Sequence, residues 1–236
     1  MTLIAHLEEL RWTLIRCACV VIICAIPAGI FWQRIFGFIA VWPLHLSEAT
    51  PRIIYTAPAE AVILIFKIAL TCGVVLASPF IFQQIWRFVA PGLYKKEKIV
   101  ILPIAIASTF CFLAGITFCY FLLPLFMKFL TGFAGGQIDP LFRINEYFGF
   151  LIKMCFAFGL AFELPVISLV LAKMGIIDHK FMIRYFRYAI ILIFIAAAIL
   201  TPTTDAISQL LLGVPIVALY GISIIIAYFA RQKEKK

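Results

Sequence analysis

AVILIFKIALTCGVVLASPFIFQQIW, residues Ala61 to Trp86, carries a single charged side chain, Lys67, in 26 consecutive positions. At 1.5 Å of rise per residue, a helix of that length reaches about 39 Å and exceeds the roughly 30 Å hydrocarbon core of a bilayer. Only helices and closed barrels satisfy their backbone groups in hydrocarbon, and a run this long and continuously apolar fits the helix. Five further runs flank it, from about Cys17 to Gln33, Ile99 to Met127, Tyr147 to Ala172, Tyr188 to Leu200 and Ala206 to Ala230. The predicted fold is therefore all-α: one integral membrane domain over residues 1–236, with six transmembrane helices and an interfacial helix at residues 2–16. Composition points the same way. Of the 236 residues 65% are apolar or aromatic and 13% charged, with a mean hydropathy of +1.12, which excludes a soluble globular domain.

The net charge of +9 is distributed by topology. Counted on alternate sides of the six spans, 14 Lys and Arg fall on the side of both termini and 4 (Arg34, Arg52, Lys128, Arg143) on the other, with Lys67 and Lys153 inside spans. The positive-inside rule then places both termini in the cytoplasm. No basic stripe with interleaved aromatics is present, so nucleic acid is not an expected partner. The basic face meets anionic lipid instead.

The spans differ in length. Tyr188 to Leu200 offers 13 residues, about 20 Å of helix, too little for an undistorted bilayer. Pro202 ends it, and Thr204 and Asp205 supply N-cap chemistry for the next helix, so a tight external hairpin is expected. Gly213, Pro215 and Gly221 permit kinks in the final span. The first external loop, Arg34 to Ala59, contains Pro43, Pro51 and Pro58 and is long enough to cap the helices.

Enzyme signatures are missing: no HExxH, no Gly-rich phosphate loop, no G-x-S-x-G. Seven cysteines lie in apolar runs without a CxxC pair and read as small packing residues. Neither a metal nor another cofactor is expected. The sharpest polar signal is Glu163, in FGLAFELPV within the fourth span, where an ionised carboxylate is costly unless hydrated or paired. Pro165 removes a backbone donor two residues later, so a kink with a polar pocket is expected there. Lys153 is ten residues earlier and rotated by about 80°, which excludes a direct pair with Glu163 within one regular helix. Lys67 is expected to snorkel from the external end of its span. At the N-terminus, Leu3, Leu7, Leu10 and Leu14 form one apolar stripe, with His6, Glu9 and Arg16 away from it. Glu9 and Glu97 stand as acidic residues on a strongly basic face. From composition alone, they do no more than offset neighbouring Arg11 and Lys95, Lys96 and Lys98.

Five motifs together resemble the TatC family, the polytopic receptor subunits of twin-arginine protein translocases. They are HLEELRWTLI (His6 to Ile15), WPL around Pro43, SPFIFQQIWRFVAPGLYKKEK (Ser78 to Lys98), FGLAFELPV (Phe158 to Val166) and LTPTTDAISQ (Leu200 to Gln209). The resemblance runs end to end. It implies a non-enzymatic receptor of the cytoplasmic (inner) membrane that binds the paired arginines of signal peptides on folded precursors, self-associates, and recruits single-span partners of the TatA and TatB type. By the same resemblance Glu9 and Glu97 contact the twin-arginine motif, Phe88 and Pro91 line that region, Glu163 is the intramembrane polar site, and Pro43, Pro165, Asp205 and Gln209 serve structure or partner contact. It further implies short last two helices, a concave glove-like bundle, and partner docking along the fifth span. Lys153 and the second carboxylate Glu8 depart from the family pattern. Two other functions compete: a small secondary transporter using Glu163 and Lys153, which the lack of an inverted repeat disfavours, and a scaffold that binds only membrane helices.

Overall fold

The computed structural model describes residues 3–41, 43, 52–89, 101–132, 141–201 and 206–232. Pro91, Glu97 and Asp205 lie outside the described residues. The described chain runs α1 (Leu3–Ile30), α2 (Trp32–Phe36), a π-helical turn (Gly37–Val41), β1 (Arg52–Ile54), α3 (Pro58–Val89), α4 (Ile101–Gly132), β2 (Leu141–Arg143), α5 (Ile144–Ala161), α6 (Leu164–Lys173), α7 (His179–Arg184), α8 (Phe186–Leu200) and α9 (Ala206–Gln232). Among the described residues, five stretches are long and apolar enough to cross a membrane: Leu7–Ile30, Pro58–Val89, Ile101–Gly132, Ile144–Lys173 and Ala206–Ala230. The shorter apolar helix α8 adds 15 residues, about 22 Å. The protein is a helical, multi-pass membrane protein.

Burial is inverted relative to a soluble fold. Phe66 (72% exposed), Phe110 (70%) and Ile199 (77%) point outward, because lipid tails offer apolar side chains the same solvent a core would. Small side chains and polar contacts must hold the helices together instead.

The chain divides into two compact units, Met1–Phe110 with Asp139–Phe148, and Cys111–Ile138 with Gly149–Lys236. In the first, α1 packs along α3. The contact is close because Gly73 leaves room: a Cβ there would stand 2.8 Å from the Val21 carbonyl oxygen and 2.9 Å from Ala25 Cβ. At one end of this pair, the Trp86 indole N–H donates to Ser108 Oγ at 2.8 Å and ties α3 to α4. At the other, β1 and β2 pair in parallel, Arg52 opposite Leu141 and Ile54 opposite Arg143. The Tyr147 hydroxyl donates to the Ala40 carbonyl at 2.9 Å beneath them, and the Tyr147 ring stacks on Phe142.

In the second unit, α4 meets α5 at two glycines. A Cβ on Gly115 would lie 2.5 Å from the Phe158 carbonyl oxygen, and one on Gly159 would lie 2.7 Å from the Phe112 ring. Phe118 packs against both Phe158 and Phe162, with centroids 5.5 and 5.6 Å away. Helix α9 lies against α6, α7 and α8, joined by the Tyr220 hydroxyl donating to the Met182 carbonyl (3.2 Å) and by a cluster of Ala172, Met182, Ala227 and Ala230.

Several expectations are corrected. The last two helices are not both short: α8 is, but α9 runs 27 residues without interruption through Gly213, Pro215 and Gly221 and reaches about 40 Å. No separate interfacial helix ends at residue 16, since Leu3–Ile30 is one helix. The loop before α3 is shorter than expected, because Pro58 opens that helix, where its missing N–H costs no intrahelical bond. The Thr56 N–H and hydroxyl both donate to the Glu60 carboxylate, at 3.0 and 2.8 Å, and fix the entry. Lys67 does not snorkel freely: its ammonium donates to the Asn145 side-chain oxygen and, at 3.5 Å, to the Asn145 carbonyl.

Candidate functional site

Glu9, Trp12, Thr13 and Arg16 are spaced i, i+3, i+4 and i+7, so they share one face of α1. Gln84, Arg87 and Phe88, at i, i+3 and i+4, share one face of α3. The antiparallel packing of α1 on α3 turns these faces toward each other, and together they enclose a cavity of about 230 Å³. Of the leucine stripe of α1, Leu7, Leu10 and Leu14 are left on the outside: Leu7 is 57% and Leu14 61% exposed. An apolar stripe that faces lipid thus selects which polar face turns inward.

The cavity has an uneven electrostatic lining. Glu9 is half-buried, Arg16 and Arg87 are exposed at the rim, and Gln84 is buried deep in the wall. The Trp86–Ser108 hydrogen bond anchors the turn of α3 that carries Gln84, Arg87 and Phe88. Ion pairs among the described residues form elsewhere, Arg143 with Glu146 at 3.4 Å and Asp178 with His179 at 2.7 Å. A half-buried carboxylate backed by an amide and flanked by aromatic rings suits a guanidinium, which takes carboxylate oxygens through its donor fork and stacks on π faces.

The structure thus brings Glu9 and Phe88 together from positions 79 residues apart in sequence. Trp12, Thr13, Arg16, Gln84 and Arg87 complete the lining and were not among the predicted site residues. Helical spacing from Glu9 and from Phe88 is the signal that points to them.

Glu163 is a separate feature. The fourth span breaks at Phe162–Glu163 into α5 and α6, as the position of Pro165 predicts. Glu163 holds the N-cap position of α6 with its side chain 4% exposed; its N–H donates to the Leu160 carbonyl and its carbonyl accepts from Ile167. Lys153 is exposed on α5. Pro43 is fully buried, Pro165 sits in the first turn of α6, and Gln209 is half-buried in the first turn of α9. All seven cysteines are free thiols. Among the described residues no cluster of His, Cys, Asp and Glu is placed to hold a metal ion.

The sequence profile of the family described as "Sec-independent protein translocase protein (TatC)" matches residues 5–215. The chain belongs to the TatC family. The TatC protein of Carboxydothermus hydrogenoformans is 38% identical over 235 residues, covering 99% of this chain and 96% of that one. The TatC protein of Aquifex aeolicus is 35% identical over 239 residues, covering 100% and 98%. A crystal structure described as the twin arginine translocase receptor TatC superposes with a TM-score of 0.85 at 36% identity, covering 95% of this chain and 99% of that one. Membership makes this TatC chain a membrane component of the Sec-independent protein translocase, a transport protein and not an enzyme.

Proposed function

We propose that the chain is the signal-peptide receptor of a twin-arginine translocase in the cytoplasmic (inner) membrane, with both termini cytoplasmic. The observation that carries this reading is the cavity that joins Glu9 to Phe88. It opens at the N-terminal end of α1 and the C-terminal end of α3, on the side where the sequence concentrates 14 of its Lys and Arg. The paired arginines of the peptide place one guanidinium on Glu9 and the other on Glu97, with Phe88 and Pro91 lining the approach. The structural relative described as a twin arginine translocase receptor supports the receptor reading. Each charge-assisted hydrogen bond contributes about 1.5–3 kcal/mol. A lysine pair keeps the charge and loses the fork.

Glu163 supplies a polar intramembrane point at the α5–α6 break that suits partner docking. TatA- and TatB-type single-span proteins dock along α8, whose Ile191, Leu192, Ile195 and Ile199 are exposed. Self-association of the receptor and the structural roles of Pro43, Pro165, Asp205 and Gln209 complete the assignment.

The test is binding of labelled Arg-Arg and Lys-Lys peptides to detergent-solubilised wild type, Glu9→Ala and Glu97→Ala proteins. The expected result is an arginine preference that each substitution weakens by about tenfold or more. Binding indifferent to both substitutions would move the reader elsewhere.

A further inference from the structure

Trp12 lines the same cavity as Glu9 and stands three residues further along α1, so the two side chains are neighbours on the helix surface. Its side chain is 54% exposed although α1 packs closely along α3. That exposure is not the lipid contact of a membrane anchor. At about 100° per residue, Trp12 lies about 160° round α1 from both Leu10 and Leu14, away from the apolar stripe. Trp86 shows what a structural indole does in this fold: it is buried, and its N–H donates to Ser108 at 2.8 Å. Among the described residues, by contrast, no ring or cation stacks on Trp12 and nothing accepts from its indole N–H. An open indole beside a carboxylate distinguishes the two basic side chains. A guanidinium is planar: its edge carries the donors that fork onto a carboxylate, and its face is left to stack on a ring, so one arginine engages Glu9 and Trp12 together. An ammonium has no such division of edge and face. It is a compact, strongly hydrated charge, and turning it toward a ring strips water without the matching fork.

We propose that Trp12 is a specificity-determining residue of the peptide site: its indole face stacks on the guanidinium that Glu9 holds, and this contact supplies part of the preference for arginine over lysine. The assignment rests on the receptor reading above and adds to it a residue that carries no charge. Without Trp12 the fork onto Glu9 remains, so the arginine preference is reduced and not abolished.

The test uses the full chain in detergent, as wild type, Trp12→Phe and Trp12→Leu, titrated with labelled Arg-Arg and Lys-Lys peptides that are otherwise identical and free of tryptophan. Leucine keeps apolar bulk and removes the π face, whereas phenylalanine keeps a smaller one. Trp12→Leu is expected to weaken Arg-Arg binding about fivefold and Lys-Lys binding less than about twofold, with Trp12→Phe between wild type and leucine. A second measurement is acrylamide quenching of tryptophan emission, in which the difference between wild type and Trp12→Phe isolates Trp12. Saturating Arg-Arg peptide is expected to shield that component. The phenylalanine variant keeps a ring at the position, so the quenching comparison decides the matter even if Trp12→Leu fails to fold. A Trp12→Leu protein that keeps the wild-type ratio of the two affinities, whether both change or neither does, overturns the stacking assignment, as does a Trp12 left unshielded in the saturated complex. In either case the arginine preference of wild type leaves the receptor reading standing. A wild type that binds the two peptides equally, or binds neither, overturns the receptor reading and this assignment with it.

Discussion

Replacing Gly115 by alanine tests whether backbone proximity, and not apolar burial, holds α4 against α5. A Cβ on Gly115 would stand 2.5 Å from the Phe158 carbonyl oxygen, 2.9 Å from Gly159 Cα and 2.9 Å from Phe158 carbonyl carbon. Close carbon–oxygen contacts in proteins settle at about 3.3 Å or more, so the two helices must part by about 0.8 Å. The obstructing atoms are all backbone, which rules out relief by a rotamer change. A gap of that size forfeits about a quarter to a half of each dispersion contact along the crossing, and overpacking of this kind costs about 1–3 kcal/mol. Alanine recovers about 0.5–1 kcal/mol of helix propensity, leaving a net loss of about 1–2 kcal/mol. Gly221→Ala is the matched control. Nothing lies within 4 Å of its added methyl, so it keeps the propensity gain of about 0.5–1 kcal/mol without the overlap. The chemical change in the unfolded chain and the propensity gain are the same in both variants, which makes the difference between them, the overpacking cost of about 1–3 kcal/mol, more reliable than either value. That difference corresponds to roughly 2–12 °C in melting temperature for a chain of this size. The assay is thermal unfolding in detergent, followed with a thiol-reactive dye on the seven free cysteines. A Gly115→Ala protein that melts at or above Gly221→Ala would refute the close-packing account of this crossing.

Trp86→Phe removes the indole donor from Ser108, whose side chain is fully buried, and is expected to cost about 1–3 kcal/mol in the same melt and to weaken Arg-Arg peptide binding, because Gln84, Arg87 and Phe88 ride on that turn. Tyr147→Phe removes the donor to the Ala40 carbonyl and is expected to cost about 1 kcal/mol and to speed amide hydrogen exchange across the Gly37–Val41 turn. Gly175→Ala places a side chain at φ +70° between α6 and α7, where nothing lies within 4 Å; it is expected to lower stability by about 1–2 kcal/mol through backbone strain alone, with asparagine milder than alanine.

Much of the fold was legible from the sequence because lipid writes itself in composition: runs too long and too apolar for water identify the spans, and Pro165 marks the break beside Glu163. The β1–β2 pair was not legible. Three-residue strands leave no period-two signal, and their pairing links residues 89 apart in a chain otherwise read as helical. The run from Ala206 to Ala230 was legible as one span, but its full reach of 27 residues was not what the resemblance implied, a short last helix. Within the site, Glu9 and Phe88 came from the family resemblance; helical spacing puts Trp12, Thr13 and Arg16 on the face of Glu9 and Gln84 and Arg87 on the face of Phe88, but joining the two faces into one lining needed the antiparallel register of α1 on α3. That register is set by Gly73 against Val21 and Ala25, and no property of either helix alone reveals it.

The break in the fourth span and the glycine contact next to it have one physical origin. In a continuous helix the Glu163 N–H would reach the Gly159 carbonyl and the residue 165 N–H would reach Ala161. Pro165 has no N–H, and the Glu163 N–H turns to Leu160 at 3.1 Å instead. Two carbonyls therefore lose their intrahelical donors in the middle of a span, a cost that hydrocarbon cannot relieve. A turn in that condition survives only where protein surrounds it, and α4 supplies the cover on one side: Gly115 lies against Phe158 and Gly159, and Phe118 packs on both Phe158 and Phe162. The same closeness excludes lipid from the turn that leads into Glu163, which is how a carboxylate 4% exposed comes to be held at membrane depth. Gly115, although it carries no polar atom in its side chain, is thus part of what makes a polar site at Glu163 possible.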